Sequence, residues 1–201
     1  MIKRIRVPVG IRDEEIDVGA HIAYFWENDR EFREGVAFIL VGLAAGDFCV
    51  LFGHDDANAK VCGMLADEGY DCAELQRDNK MAILSGHTDA DSMLGNIGAA
   101  FAKAIEDGAG LIRLLGNIGW GRDTWPSERD ILEFEGKVTA AARAFPCVVV
   151  CMYDVQNLSG RVIVHGAFET HPLTICGNLL RANPHYLEFD EFLTRLGPRD
   201  S

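Results

Sequence analysis

Apolar residues recur along this chain with two different periods, and the alternation between those periods sketches a fold. In "DREFREGVAFILVGLAA", residues 29–45, Phe32, Val36, Ile39, Leu40 and Leu43 stand at helical spacing. Asp29 can cap the start of that helix, and Gly46 marks its stop. "FCVLF" (48–52) is an unbroken apolar run of strand length, as expected of a strand buried on both faces. A helix over about 56–67 follows and ends at Gly69, and "KMAILS" (80–85) predicts a second strand. From Asp89 to Asp107 the positions Met93, Leu94, Ile97, Phe101 and Ile105 form one stripe, with Gly108 as its stop. "LIRLL" (111–115) predicts a third strand, and Ser127 can cap a helix to about Ala144 with Ile131, Leu132, Phe134, Val138 and Ala142 facing inward. "CVVVCMY" (147–153) and "LTIC" (173–176) predict two further strands, separated by a helix near 157–169.

Strands that alternate with helices of this length predict an α/β fold, a mostly parallel sheet with helices on both faces. No repeat, low-complexity tract or linker divides the 201 residues, so the expectation is one domain over 21–201. Residues 1–20 are polar and aperiodic and read as an N-terminal arm.

Composition narrows the function classes. The net charge of −12 and pI near 4.8 would repel a phosphate backbone, and no basic cluster offsets them, which argues against direct nucleic-acid binding. Apolar residues make up 48% without a run long enough to span a membrane, and "MIKRIRVPVG" lacks the apolar core of a signal peptide. A cytoplasmic location is expected. The six cysteines lie mostly inside apolar segments and read as buried, reduced thiols.

The turn after the first predicted strand, "GHDDANAKV", stands where a nucleotide-binding α/β protein can carry a phosphate loop. It offers one glycine, two aspartates that would repel a triphosphate, and Lys60 followed by Val rather than Ser or Thr. Asn117 stands after "LIRLL" where a magnesium-holding carboxylate is needed, so both anchors of magnesium-dependent hydrolysis are missing. The loop 116–126 holds Trp120 and Trp125 near Arg113 and Arg122, and reads either as a ligand pocket at the carboxyl edge of the sheet or as a cover over that edge. "CMYDV" brings Tyr153 and Asp154 to the same edge. Cys151 with His171 could form a nucleophile and base, although a Cys inside "VVVCMY" is more often inert core. The spacings Cys62-x9-Cys72, Cys147-x3-Cys151 and His165-x5-His171 match no tight ligand pattern, so no metal or cofactor is expected.

In order along the chain, "HIAYFWENDREF", "VGLAAGDFCVLF", "EGYD", "GLIRLLGNIGW", "LEFEGKV", "VVVCMYD", "HPLTICG" and "NPHY" together resemble the MEDS domain, the sensory domain named for methanogens, methylotrophs and the regulator of dichloromethane metabolism. The resemblance runs from about His21 to Leu193. It implies a degenerate relative of the RecA/KaiC-type ATPase fold, three-layered, which keeps the strand–turn–helix of a phosphate loop without its binding residues. It also implies sensing of small molecules, hydrocarbon derivatives among them. Residue by residue, His21 and Tyr24 match the start of the family pattern, Arg113 and Trp120 its strand and loop, and Glu135 the acidic residue of the following helix. Cys151, Tyr153 and Asp154 match the strand end, and His171 with Pro172 the His-Pro pair. The chain departs from the pattern at Asn117, where the family usually shows an acid, and at "SGHTDADSM", which is short.

The expectation is therefore a non-enzymatic sensory domain whose small organic ligand meets His54, Arg113, Asn117, Trp120, Trp125, Cys151, Tyr153, Asp154 and His171. Its output would pass to a histidine kinase or transcriptional regulator in another chain, and a homo-oligomer is expected. The rivals are a divergent nucleotide hydrolase using Lys60 and a purely structural interaction module.

Overall fold

The computed structural model describes residues 5–85, 89–118, 127–177 and 179–196. Seven strands form one sheet: β3 (His21–Trp26), β4 (Phe48–Gly53), β5 (Met81–Ser85), β6 (Ile112–Ile118), β7 (Cys147–Asp154), β8 (Leu173–Cys176) and β9 (Leu179–Ala182). Their order is β5-β4-β6-β7-β3-β8-β9, with every neighbouring pair parallel except β8 and β9. The expected α/β class and mostly parallel sheet are thus found.

One face of the sheet is covered by α1 (Asp29–Ala45), α2 (Asp55–Asp67) and α3 (Cys72–Arg77), which bury Phe32, Ile39, Val61, Leu65 and Leu75 against Ile22, Leu51, Val150 and Met152. The other face is covered by α4 (Ala90–Glu106), α5 (Glu128–Ala142) and a π-helical segment (Val162–Phe168), which pack Met93, Phe101, Phe134 and Val162 on Ala23, Val50, Leu114 and Val149. A last helix, α6 (Phe189–Leu196), seats Phe192 and Leu196 against Leu132 on the outside of α5. Gly136 makes that seat: a Cβ there would stand 2.8 Å from the Phe192 ring.

Strand β7 is buried at all eight positions, as expected of a central strand with helices on both sides. Strand β3 beside it lies in a segment to which the apolar pattern assigned no element. The N-terminal segment is also more than an arm. Arg6–Pro8 (β1) and Glu15–Asp17 (β2) pair antiparallel, and Val9, Ile11 and Ile16 enter the same core as α1. The predicted helix near 157–169 is a turn followed by the π-helical segment.

Among the described residues no helix is long and apolar enough to cross a membrane.

Candidate functional site

Successive residues of a strand point to opposite faces, so Cys151 and Tyr153 of β7 face α5 together with His21 of the parallel neighbour β3. Glu135 reaches toward them from α5, and His171 comes from the turn between the π-helical segment and β8. His21, Glu135, Cys151 and His171 are all buried to within 1% of complete exclusion from solvent. His21 Nε2 stands 3.3 Å from Glu135 Oε2 and 3.4 Å from Cys151 Sγ, and His171 Nε2 stands 3.4 Å from the same carboxylate oxygen. The two imidazole rings lie 3.8 Å apart between centroids.

The hydrogen bonds around the histidines fix their tautomers. The Thr139 hydroxyl donates to the Thr170 carbonyl at 2.9 Å, so it accepts from His21 Nδ1, also at 2.9 Å. His171 Nδ1 donates to the Ala167 carbonyl at 2.9 Å. In both rings the proton therefore sits on Nδ1, and the Nε2 lone pair is turned inward. The π-helical segment supplies the carbonyls for this arrangement. Its wider turn leaves Gly166 and Ala167 to side chains, Gly166 accepting from Tyr153 and Thr170 and Ala167 from His171.

Burial sets the charge states. It pushes the Glu135 carboxyl up to about 8 and the His171 imidazole down to about 3. His21 is likewise lowered, by burial first and by His171 second. The Cys151 thiol is raised by burial and then by the neighbouring Glu135 carboxylate, which argues against a nucleophilic thiolate paired with His171. Neither Glu135 carboxyl oxygen has an aligned hydrogen-bond donor, and His171 Nε2 has no hydrogen-bond partner.

Cys151 also belongs to the wall of a cavity of about 180 Å³ between the sheet and helices α4 and α5. The remaining wall is almost wholly apolar: Phe52, Leu94, Ile97, Phe101, Leu114, Phe134, Val138, Ala141, Ala142, Phe145 and Val149, with Gly98 and the stem of Lys137. The Lys137 ammonium bonds Asp91 of α4 at 2.7 Å and Glu133 at 2.8 Å, tying the two helices together beside the cavity.

Of the residues expected to share a site, Cys151, Tyr153 and His171 do meet, with the Tyr153 and His171 rings 5.5 Å apart edge to face. The others do not join them. Arg113 lies on the opposite face near the start of β6, where its Nε bonds Asp47 at 2.7 Å and its Nη1 bonds the Pro8 carbonyl at 2.8 Å. Gly42 of α1 leaves room for its side chain to pass. It is a structural anchor there. Asn117 is wholly buried beside Gly53, on the face opposite Cys151. His54 precedes α2, and Asp154 accepts from the Gln156 and Asn157 backbone in a turn. Asp154 joins Trp26, Glu27, Asn28, Asp29 and Lys60 around an open groove at the carboxyl ends of β3 and β7. Its charged residues are the acids Glu27, Asp29 and Asp154 and the base Lys60, which is tied to Asp29 at 2.6 Å. Trp120 and Trp125 lie outside the described residues.

What residue spacing missed is the grouping itself. His21, Glu135, Cys151 and His171 come from four elements, so no local motif joins them. The period of two along β7 and the family pattern are the signals that bore on them.

The chain is similar to the transcriptional repressor DcmR of Methylorubrum extorquens (strain DSM 6343 / CIP 106787 / DM4), with 26% identity over 137 residues. That alignment covers 68% of this chain and 51% of the repressor, so the chain spans about half the length of the curated relative it matches. The family model for the methanogen/methylotroph, DcmR sensory domain matches residues 20–172, an interval that encloses all four clustered side chains. The protein belongs to the MEDS family of sensory domains.

Proposed function

We propose that this domain is a non-enzymatic sensor that takes up a small, predominantly apolar organic molecule, a hydrocarbon derivative by class, in the cavity between the sheet and helices α4 and α5. The observation that carries this reading is the cavity: about 180 Å³ with an almost uniformly apolar lining, in a chain of a sensory family. The recess is partly open to the surface, and an apolar recess of this volume can admit a benzene-sized guest.

A sensor needs two states with different affinity for the ligand. Helix α5 is the element placed to report occupancy. It lines the cavity through Phe134, Val138 and Ala142, carries Glu135 toward the histidines, and supports α6 on its outer side through Leu132 and Gly136. The similarity to a transcriptional repressor supports a regulatory output, which we assign to a regulator or kinase partner. On the same reading the sheet is a degenerate relative of the RecA/KaiC type. The exposed aspartates Asp55 and Asp56 in the first turn of α2, and the acidic groove at the carboxyl ends of β3 and β7, support a fold that no longer holds a triphosphate.

Thermal unfolding with increasing benzene, and with short haloalkanes and alcohols, tests the proposal against Gly98→Leu. A Cβ on Gly98 meets nothing within 4 Å, so a larger side chain there can fill the cavity without displacing backbone. The wild type should show a saturable rise in Tm with at least one probe, and the variant should lose it. The absence of any saturable shift in the wild type would refute the cavity as the sensing site.

A further inference from the structure

We infer that His21, Glu135, Cys151 and His171 form a four-ligand site for a zinc-class divalent metal ion. The first argument is distance. Around a tetrahedral zinc with nitrogen, oxygen and sulfur ligands, neighbouring donor atoms stand about 3.3–3.7 Å apart. Here the contacts are 3.3, 3.4 and 3.4 Å, and all four donor atoms lie within 4.8 Å of one another.

The second argument is orientation. Both imidazoles have Nδ1 committed outward, His21 to the Thr139 hydroxyl and His171 to the Ala167 carbonyl. Metal-bound histidines are held in this way, with one nitrogen tied to an outer partner so that the other lone pair addresses the ion. The inward set consists of two nitrogen lone pairs, a carboxyl group and a sulfur. Both carboxyl oxygens and His171 Nε2 are buried without an aligned hydrogen-bond donor, the Cys151 thiol and the Tyr153 hydroxyl being the polar groups that act on the carboxyl. A cluster of acceptors sealed from water calls for a cation or for added protons.

The third argument is charge. Two neutral imidazoles, one thiolate and one carboxylate carry two negative charges, which a divalent ion cancels. Binding transfers the Cys151 and Glu135 protons to solvent, and four lone pairs go to the metal, with no oxidation or reduction. A neutral complex lowers the cost of keeping these charges buried. The pairing of imidazole and thiolate favours zinc over magnesium or calcium, which prefer oxygen ligands.

The inference does not depend on the sensor reading, because metal content and ligand binding are read separately. It places a metal–thiolate bond at Cys151, on the wall of the apolar cavity.

The experiment is expression with added zinc or cobalt, purification without chelator, and elemental analysis of the full chain with an optical spectrum of the cobalt form. The expected result is about one metal per chain, with a thiolate-to-cobalt charge-transfer band in the near ultraviolet. Cys151→Ser should remove that band. Glu135→Gln preserves volume and removes a buried ionisable group, so it should fold yet lower metal affinity at least ~10-fold. Cys147→Ala removes the other buried thiol of the same strand, which lies outside the cluster, and should keep the metal and the band. A folded wild type that carries no metal and shows no cobalt band would overturn the inference and leave a hydrogen-bonded cluster of protonated Glu135 and Cys151. A band that survives Cys151→Ser would overturn this ligand set.

Discussion

Arg113 and Glu135 are both buried ionisable side chains, yet the fold treats them in opposite ways. Arg113 is paired with Asp47 and further bonded to the Pro8 carbonyl, with its guanidinium 5.1 Å from the centre of the Phe38 ring. Arg113→Met would leave Asp47 without its counter-charge, and breaking a buried pair from one side costs about 3–5 kcal/mol. Chemical denaturation should show a loss of that order, with binding of apolar probes unaffected. Among the described residues the groups that face the Glu135 carboxyl are His21 and His171, both held neutral by burial, which is what sets its cluster apart. In the sequence Arg113 stands close to the tryptophan loop that follows "LIRLL", and the family resemblance assigns it to the ligand site. The strand in fact continues through Gly116 and Asn117 to Ile118, so Arg113 stands near its beginning, opposite Cys49 and Val148 in the register.

At the scale of elements, strong periodicity was legible and local chemistry was not. The stripe of Met93, Ile97 and Phe101 gave α4 correctly, with Asp89 accepting from the Ser92 backbone as its cap. For α1 the cap is Asn28, one residue before the expected Asp29. The short α3 was invisible to periodicity, because six residues hold less than two turns, and its start rests on Asp71. The Asp71 side chain accepts from the Ala73 and Glu74 backbone, and these bonds hold its carboxyl below the usual carboxylate range. A carboxylate whose pKa is lowered on folding contributes stability above its unfolded pKa and loses it as pH falls through the folded value. Asp71→Ala should therefore destabilise the protein at neutral pH, and by less in acid, when denaturation curves are compared at both. Gly95 on the exposed side of α4 has open space around its missing Cβ. Gly95→Ala should raise stability by about 1 kcal/mol, read as a higher denaturation midpoint. The π-helical segment carries no sequence signature, and it is the element that leaves Gly166 and Ala167 free to orient Tyr153 and His171.

At the scale of the whole molecule, the alternation of strands and helices was enough to predict a mostly parallel sheet, whereas the grouping of residues from four elements depended on strand order. His21 meets Cys151 because β3 lies beside β7 in the order β5-β4-β6-β7-β3-β8-β9, although 130 positions separate the two residues in sequence. The expected pocket at the carboxyl edge joined residues that are close in sequence pattern but face opposite sides of the sheet. The structure instead places an apolar cavity and a buried cluster of metal-ligating side chains on one face, sharing Cys151 and both touched by α5. On the proposed function this face, rather than the strand edge, receives the ligand. Methyl-resolved NMR of the protein titrated with benzene tests it directly. Saturable shifts are expected at Ile97, Leu114, Val138 and Val149, which line the cavity, with Val61 and Leu65 on the α2 side unmoved. Shifts confined to the α2 side, or no saturable shift at the cavity methyls, would contradict it.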